Sequence, residues 1–226
     1  MPPERVSRPG VRAGYDLWAE TYDGGRNPLV ALDRLHTFDR LRPQRGERIL
    51  DAGCGTGVHL RRLVSAGSRP LGIDLSRGML RVAQRAAPGV PLAQADLNRG
   101  LPVRRERFDA VLCALVSEHL EQLRTLVAEA FAVLKRGGRL VFSAFHPELA
   151  AAGIEANFER DGTEYRLGAE LYSVDDYLNH IGDAGFRDVS WREFRVDAEV
   201  VERIPAADKY FGHRLLLIIE AARPVR

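Results

Sequence analysis

The run Arg48-Ile-Leu-Asp-Ala-Gly-Cys-Gly-Thr-Gly57 is aliphatic at its start, meets an acid at Asp51 and then breaks into alternating glycines. The aliphatic part reads as a short strand. Gly57 to about Gly67 reads as a helix, with Leu60, Leu63 and Val64 on one face. Glycines between a strand and a helix permit a tight turn and let backbone N–H groups approach a ligand without Cβ atoms in the way. A dinucleotide fingerprint requires G-x-G-x-x-G, but Val58 follows Gly57 and the third glycine is displaced. A phosphate loop requires Gly-Lys-Ser/Thr, and this stretch has no lysine. Taken alone, the glycines are a weak signal, with a tight turn that holds no ligand as the alternative.

Working outward, the same strand-then-helix unit recurs. Pro70-Leu-Gly-Ile-Asp74 is a second strand, followed by a helix from Ser76, a plausible N-cap, with Met79, Leu80 and Ala83 at helical spacing. Pro91–Ala95 is a weaker third strand, and Phe108–Leu115 is an apolar run typical of a strand buried on both faces. A helix over Leu123–Leu134 closes at Lys135-Arg-Gly-Gly138, and Arg139–Phe145 is the fifth strand. Such alternation predicts a parallel sheet with helices on both faces, and ligands then bind beyond the carboxyl ends of the strands. The flanks are less regular. Residues 12–23 and 29–41 read as helices, 147–172 as loop or irregular helix, 173–185 as a capped helix, and 186–196 and 213–222 as strands.

Asp74 ends the second strand 21 residues after Gly53, where an acid accepts both hydroxyls of a ribose. Ala95-Asp96-Leu97 follows the third strand, where a carboxylate can accept the exocyclic amine of adenine. Each acid alone is more often a helix cap or a solvated loop residue. Together with the glycine turn they describe an adenosine site with no binder for a pyrophosphate.

On these motifs the chain closely resembles the class I S-adenosylmethionine-dependent methyltransferases, in the small-molecule branch of the ubiquinone/menaquinone-biosynthesis type. The resemblance rests on Ile49–Gly57, Gly72-Ile-Asp-Leu-Ser76 with Met79, Ala95-Asp96-Leu97, Phe108-Asp109 leading into Leu115, and Leu134–Leu140. Tyr15-Asp-Leu-Trp-Ala-Glu-Thr-Tyr-Asp23 is similar to the leading helix that closes over the cofactor. The resemblance covers about residues 15–145 and, more loosely, the remainder. It implies a Rossmann-like, seven-stranded, mostly parallel α/β sheet with an antiparallel last strand and an N-terminal helical cap. It also implies that Asp51, Gly53 and Gly55 surround the methionine part of S-adenosyl-L-methionine, and that Asp74 binds the ribose. Leu75 and Met79 pack on the adenine, Asp96 and Leu97 hold its edge, and the backbone at Leu115 meets the amino-acid end. Tyr15 and Tyr22 are candidates to cover the sulfonium, or else aromatics that anchor an amphipathic helix.

An activated sulfonium methyl needs a base only when the acceptor must lose a proton. His146, directly after the fifth strand, and His119, beside Glu118 after the fourth, are the candidate bases. The alternatives are a loop histidine bonded to backbone before Pro147 and a residue capping the next helix. Glu170, Arg166 and Tyr172 stand in a stretch, about 146–172, expected to roof an acceptor pocket.

The 226 residues suit one domain, with a cap over about 11–42. Hydrophobic residues at 45% and charged residues at 28% argue against disorder, and no apolar run reads as a signal or membrane span, so a cytoplasmic protein is expected. With only Cys54 and Cys113, both in core-like segments, neither a disulfide framework nor a zinc site is expected. A net charge of +2 from scattered basic residues argues against nucleic acid as a partner. Ala114-Leu-Val-Ser-Glu-His119 lacks the Pro-Pro-aromatic run of amino-group methylation on DNA bases, and two core cysteines cannot serve arsenite. A small-molecule acceptor is expected, with S-adenosyl-L-homocysteine as product and a monomer or homodimer as the working state. Two lysines against many arginines hint at a GC-rich genome and a secondary pathway. Competing readings are chemistry other than methyl transfer at the same adenosyl site, such as aminopropyl transfer, and a cofactor-binding scaffold without activity.

Overall fold

The computed structural model describes residues 5–24 and 27–226. In chain order the elements are β1 (Arg5–Ser7), α1 (Val11–Trp18), α2 (Pro28–Leu41), β2 (Arg48–Ala52), α3 (Val58–Ser65), β3 (Arg69–Asp74), α4 (Arg77–Ala86), β4 (Leu92–Gln94) and β5 (Phe108–Ala114). There follow α5 (Leu123–Val133), β6 (Leu134–Phe145), α6 (Pro147–Ala151), β7 (Asn157–Arg160), β8 (Thr163–Arg166), α7 (Val174–Asp183), β9 (Arg187–Arg195), α8 (Ala198–Arg203) and β10 (Arg214–Ala222).

Seven strands form one sheet in the order β4-β3-β2-β5-β6-β10-β9. The pairs β3–β4, β2–β3, β2–β5 and β5–β6 are parallel, and β10 runs antiparallel to both β6 and β9. This is the Rossmann-like α/β sheet expected, with its late antiparallel strand. Alternation along the strands supplies both faces with core. Leu50, Val111, Cys113, Leu140 and Phe142 pack in one cluster, while Ile49, Ala110, Leu112 and Val141 pack in the other. Because the chain winds from β2 out to β4 and then returns to β5, the strand order reverses between β2 and β5. That reversal opens a crevice at their carboxyl ends.

Local chemistry sets the helix starts. Asn27 accepts the N–H groups of Leu29 and Val30 ahead of α2, and Ser76 accepts Met79 N–H ahead of α4. Ser173 and Asp176 form a reciprocal capping box on α7.

The flanks differ from the sequence reading. The helix expected over 12–23 stops at Trp18, and a short 3-10 turn covers Tyr22–Gly24. Val64 stands 47% exposed rather than sharing the buried face of Leu60 and Leu63. Residues 135–138 continue β6 instead of closing α5: Leu134 already pairs with Phe108 of β5, and Lys135 forms an ion pair with Asp109 at 2.6 Å. The stretch expected to be loop or irregular helix holds the β7–β8 hairpin, and β8 also pairs in parallel with β1. A second, three-stranded sheet thus joins the segment before α1 to the insertion after β6. Trp18 at the end of α1 stacks on Phe158 of β7 with centroids 4.7 Å apart, so cap and insertion close over the sheet together.

Candidate active site

The glycine turn is tied down by its own backbone. Gly53 N–H and Cys54 N–H both donate to Ile73 C=O, at 2.8 and 2.9 Å. Gly53 has φ +89°, and a Cβ there would stand 2.9 Å from Cγ2 of Val116, so both conformation and space require glycine. Asp74 Oδ2 accepts Gly55 N–H and Oδ1 accepts Ser76 N–H, each at 2.8 Å. The carboxylate is therefore a turn cap, as acids at such positions commonly are. Each oxygen keeps a second lone pair, and the residue lines the crevice. Burial pushes the Asp74 carboxyl pKa up, against the opposing effect of the two backbone donors.

Beyond these strand ends lies a cavity whose wall includes Gly53, Gly55, Asp74, Leu75, Met79, Asp96, Leu97, Leu115, Tyr15 and Tyr22, together with His119. Among the described residues no lysine or arginine lines it, so the wall carries acids and apolar groups and nothing suited to a phosphate. That composition fits an adenosine carrying a cationic amino-acid tail. Residues the sequence reading did not single out also line it, among them Val11, Asn98 and Leu120. Asn98 follows directly on the Asp96-Leu97 motif, and its Oδ1 accepts Gln122 N–H at 3.0 Å.

Asp51 does not reach this wall. It lies 1% exposed behind Gly53, and neither carboxylate oxygen has a hydrogen-bond partner among the described residues. Burial pushes its pKa from 3.8 up to about 7, with the His59 imidazole pulling it down and Asp74 and Asp33 adding to the rise.

The leading helix closes one side. Asp16 of α1 accepts Ser76 Oγ–H and Gly78 N–H, both at 2.7 Å. A Cβ on Gly78 would stand 3.0 Å from Cα of Asp16, so this glycine allows α1 to lie on the start of α4. The sequence signal was present in the N-cap Ser76 and the glycine two residues on, but its partner lay 60 residues upstream. Tyr15 Oη is 2.8 Å from Nε2 of His119, the direction of donation following the imidazole tautomer. Burial raises the Tyr15 hydroxyl pKa well above its ordinary value and lowers that of His119, which keeps the imidazole neutral. The Nδ1 of His119 is buried without a partner.

His146 is not part of this assembly. It is 3% exposed and lines neither this cavity nor the next. Its Nδ1 accepts Glu148 N–H at 3.1 Å and its Nε2 meets Oε1 of Glu193 at 3.0 Å. With both ring nitrogens engaged, it is the N-cap of α6 and a strut to β9.

A second cavity, of about 690 Å³, opens on the far side of Tyr15, Tyr22 and Leu115, which belong to both walls. Trp18, Phe145, Ile154 and Phe158 give it an apolar lining. Leu115 holds φ +51°, a left-handed conformation costly for a branched residue and typical of functional positions. The insertion contributes Ile154–Glu159 and Ala169 to this wall, whereas Arg166, Glu170 and Tyr172 do not line it. Arg166 pairs with Glu164, Glu170 N–H donates to Glu118 C=O, and Tyr172 Oη–H donates to Leu120 C=O. The last two contacts fasten the insertion to the turn after β5.

A family profile described as a methyltransferase domain matches residues 50–142, the span from the glycine turn to β6. The chain is 32% identical over 167 residues to a demethylmenaquinone methyltransferase of Streptomyces avermitilis, spanning 70% of this chain and 68% of that protein. A demethylmenaquinone methyltransferase of Tropheryma whipplei is 27% identical over 215 residues, 85% of this chain and 90% of its own. In fold, an S-adenosylmethionine-dependent methyltransferase of Mesorhizobium loti superposes with a TM-score of 0.73 at 24% identity, over 89% of this chain and 99% of that one. With the motif, the phosphate-free cavity and this breadth of similarity in agreement, the chain belongs to the class I S-adenosylmethionine-dependent methyltransferases, and S-adenosylmethionine is its methyl donor.

Proposed function

We propose that this methyltransferase works as one unit, in the cytoplasm, on an oxygen, nitrogen or carbon atom of a small organic acceptor. The demethylmenaquinone methyltransferases among its relatives suggest an acceptor of the quinone-precursor kind, or a comparable intermediate of secondary metabolism. The carrying observation is that the two cavities meet at Tyr15, Tyr22 and Leu115. Two ligands seated on either side of that wall face one another, and in-line displacement requires chiefly that arrangement and the exclusion of water.

Bound S-adenosylmethionine supplies a methyl group already activated on a sulfonium. The chain's part is to hold and orient. Asp74 takes the ribose hydroxyls through its free lone pairs, Leu75 and Met79 pack on the adenine, and Asp96 with Leu97 holds its edge. Gly53 and Gly55 admit the methionine part, and the Asp51 carboxylate, buried behind them, favours the ammonium through its charge and not by contact. Tyr15 and Tyr22 keep water from the junction. His119, neutral because buried, takes the proton from an acceptor hydroxyl or amine. Neither a nucleic acid nor a membrane enters this scheme, and the working state is a monomer or homodimer. Among the described residues no helix is long and apolar enough to cross a membrane.

Calorimetric titration with S-adenosylmethionine tests the cofactor assignments. Asp74→Ala should weaken binding by about tenfold or more, the worth of a lost charge-assisted hydrogen bond. Unchanged affinity removes the ribose role. With a 1,4-naphthohydroquinone as acceptor and labelled methyl donor, His119→Ala should lower turnover far more than cofactor affinity. His146→Ala should act mainly on stability. A reversal of the two would overturn the assignment of the base.

A further inference from the structure

The wall of the second cavity is polar and apolar in similar measure; several charged groups face it, and their pairing distinguishes them. Glu20 is held by Arg85 at 2.6 Å. Glu155 is bound in bidentate fashion by Arg8 and also accepts Gly168 N–H. Glu159 is exposed on β7, and Lys209, also exposed, lies over the ring of Tyr210. Glu118 is different. Its Oε2 is buried and has no hydrogen-bond partner, although its backbone carbonyl is pinned by Glu170 N–H at 2.8 Å. It stands directly before His119 and lines the cavity together with Tyr15, Tyr22 and Leu115 of the shared wall.

A carboxylate oxygen only accepts hydrogen bonds when ionised, and leaving one buried without a donor costs free energy. Among the described residues no side chain or backbone group donates to the Glu118 carboxylate, and the residue lines the cavity. Resting on the reading of this cavity as the acceptor site, we infer that Glu118 is its specificity-determining residue. It recognises an acceptor that carries an O–H or N–H donor on an apolar, ring-sized body and has no anionic group at that end. The aromatic lining of Trp18, Tyr22 and Phe158 takes the ring. Glu118 takes the donor and holds it beside the junction of the two cavities. A carboxylate or phosphate in the same place meets a like charge in a poorly hydrated site.

Three naphthalene probes of one shape test this: 2-naphthol, 2-(aminomethyl)naphthalene and 2-naphthoate, titrated calorimetrically into protein saturated with S-adenosylhomocysteine. The hydroxyl and amine probes should each bind about tenfold more tightly than the carboxylate. Glu118→Gln keeps the size and removes the charge. It should erase the preference for the amine over the carboxylate while S-adenosylhomocysteine affinity stays within about twofold. The inference falls if 2-naphthoate binds as well as the others to the unaltered protein, if the preference survives Glu118→Gln, or if none of the probes binds. Failure of S-adenosylhomocysteine itself to bind the folded protein would instead remove the methyltransferase reading on which the inference stands.

Discussion

Asp51 carries an unusual burden for a single side chain. Its two oxygens are buried without a donor, and its pKa rises from 3.8 to about 7. A carboxyl whose folded pKa lies above its unfolded value binds its proton more tightly in the native state. Between pH 3.8 and about 7 the unfolded chain loses that proton first, and Asp51 subtracts stability progressively as the pH rises through this window. Asp51→Asn should therefore raise the thermal midpoint at about pH 8, by on the order of 1 kcal/mol, and have little effect near pH 4. On the proposal that this charge favours the cofactor's ammonium, S-adenosylmethionine affinity of the unaltered protein should climb between about pH 6 and pH 8. The Asn variant should lose that climb. A flat profile in the unaltered protein would separate Asp51 from the cofactor. Strand-end residues such as Asp74 and Asp96 were legible in the sequence because a parallel sheet delivers every strand end to one crevice. His146 is also at a strand end, but the chain turns away through Pro147 into α6, and its ring is spent on capping that helix.

At the scale of elements, α1 is held onto α4 by one acid. Asp16 accepts Ser76 Oγ–H and Gly78 N–H, and these bonds pull its carboxyl pKa below the ordinary range. Asp16→Ala should speed amide exchange across residues 11–18 and weaken S-adenosylmethionine binding by about tenfold, with the core strands unaffected. A depressed folded pKa means this hold is present above the unfolded value and is lost as pH falls through the folded one. Exchange in α1 should therefore also quicken under acid conditions. Strands β2, β3 and β5 and helices α3 to α5 were readable because their periodicity is local. The β7–β8 hairpin was not read, although Asp161-Gly162 between Arg160 and Thr163 is the two-residue turn expected of such a hairpin. Its strands are polar and short, and what makes them a sheet is β1, more than 150 positions away in sequence. Glu118 was visible only as a neighbour of His119. That its Oε2 lies buried without a partner depends on how the turn after β5 packs, which no local pattern encodes.

The whole molecule is fastened across its lower layer by a buried polar cluster. Asp33 of α2 accepts Thr37 Oγ1–H at 2.5 Å and Ser143 Oγ–H at 2.6 Å, and meets Nε2 of His59 on α3 at 3.1 Å. These bonds hold the Asp33 pKa down and the His59 pKa up, against burial in each case. The ion pair consequently stabilises between the two folded values. Its contribution is lost as pH falls through that of Asp33 or rises through that of His59. Asp33→Ala leaves a buried imidazole and two hydroxyls uncompensated. It should cost about 3–5 kcal/mol, read as a lower urea midpoint with unchanged slope. A cost under about 1 kcal/mol would mean that the hydrophobic layers alone hold α2 in place.

Tyr15, Tyr22 and Leu115 form a partition common to two chambers, and a shared partition cannot be adjusted for one occupant alone. Whatever factor the donor imposes on acceptor affinity, the acceptor must impose on donor affinity, because the free energy around the closed cycle sums to zero. On the proposed use of the two chambers, order of addition, product inhibition and the tightness of each half-filled state should all change together when Tyr15, Tyr22 or Leu115 is altered.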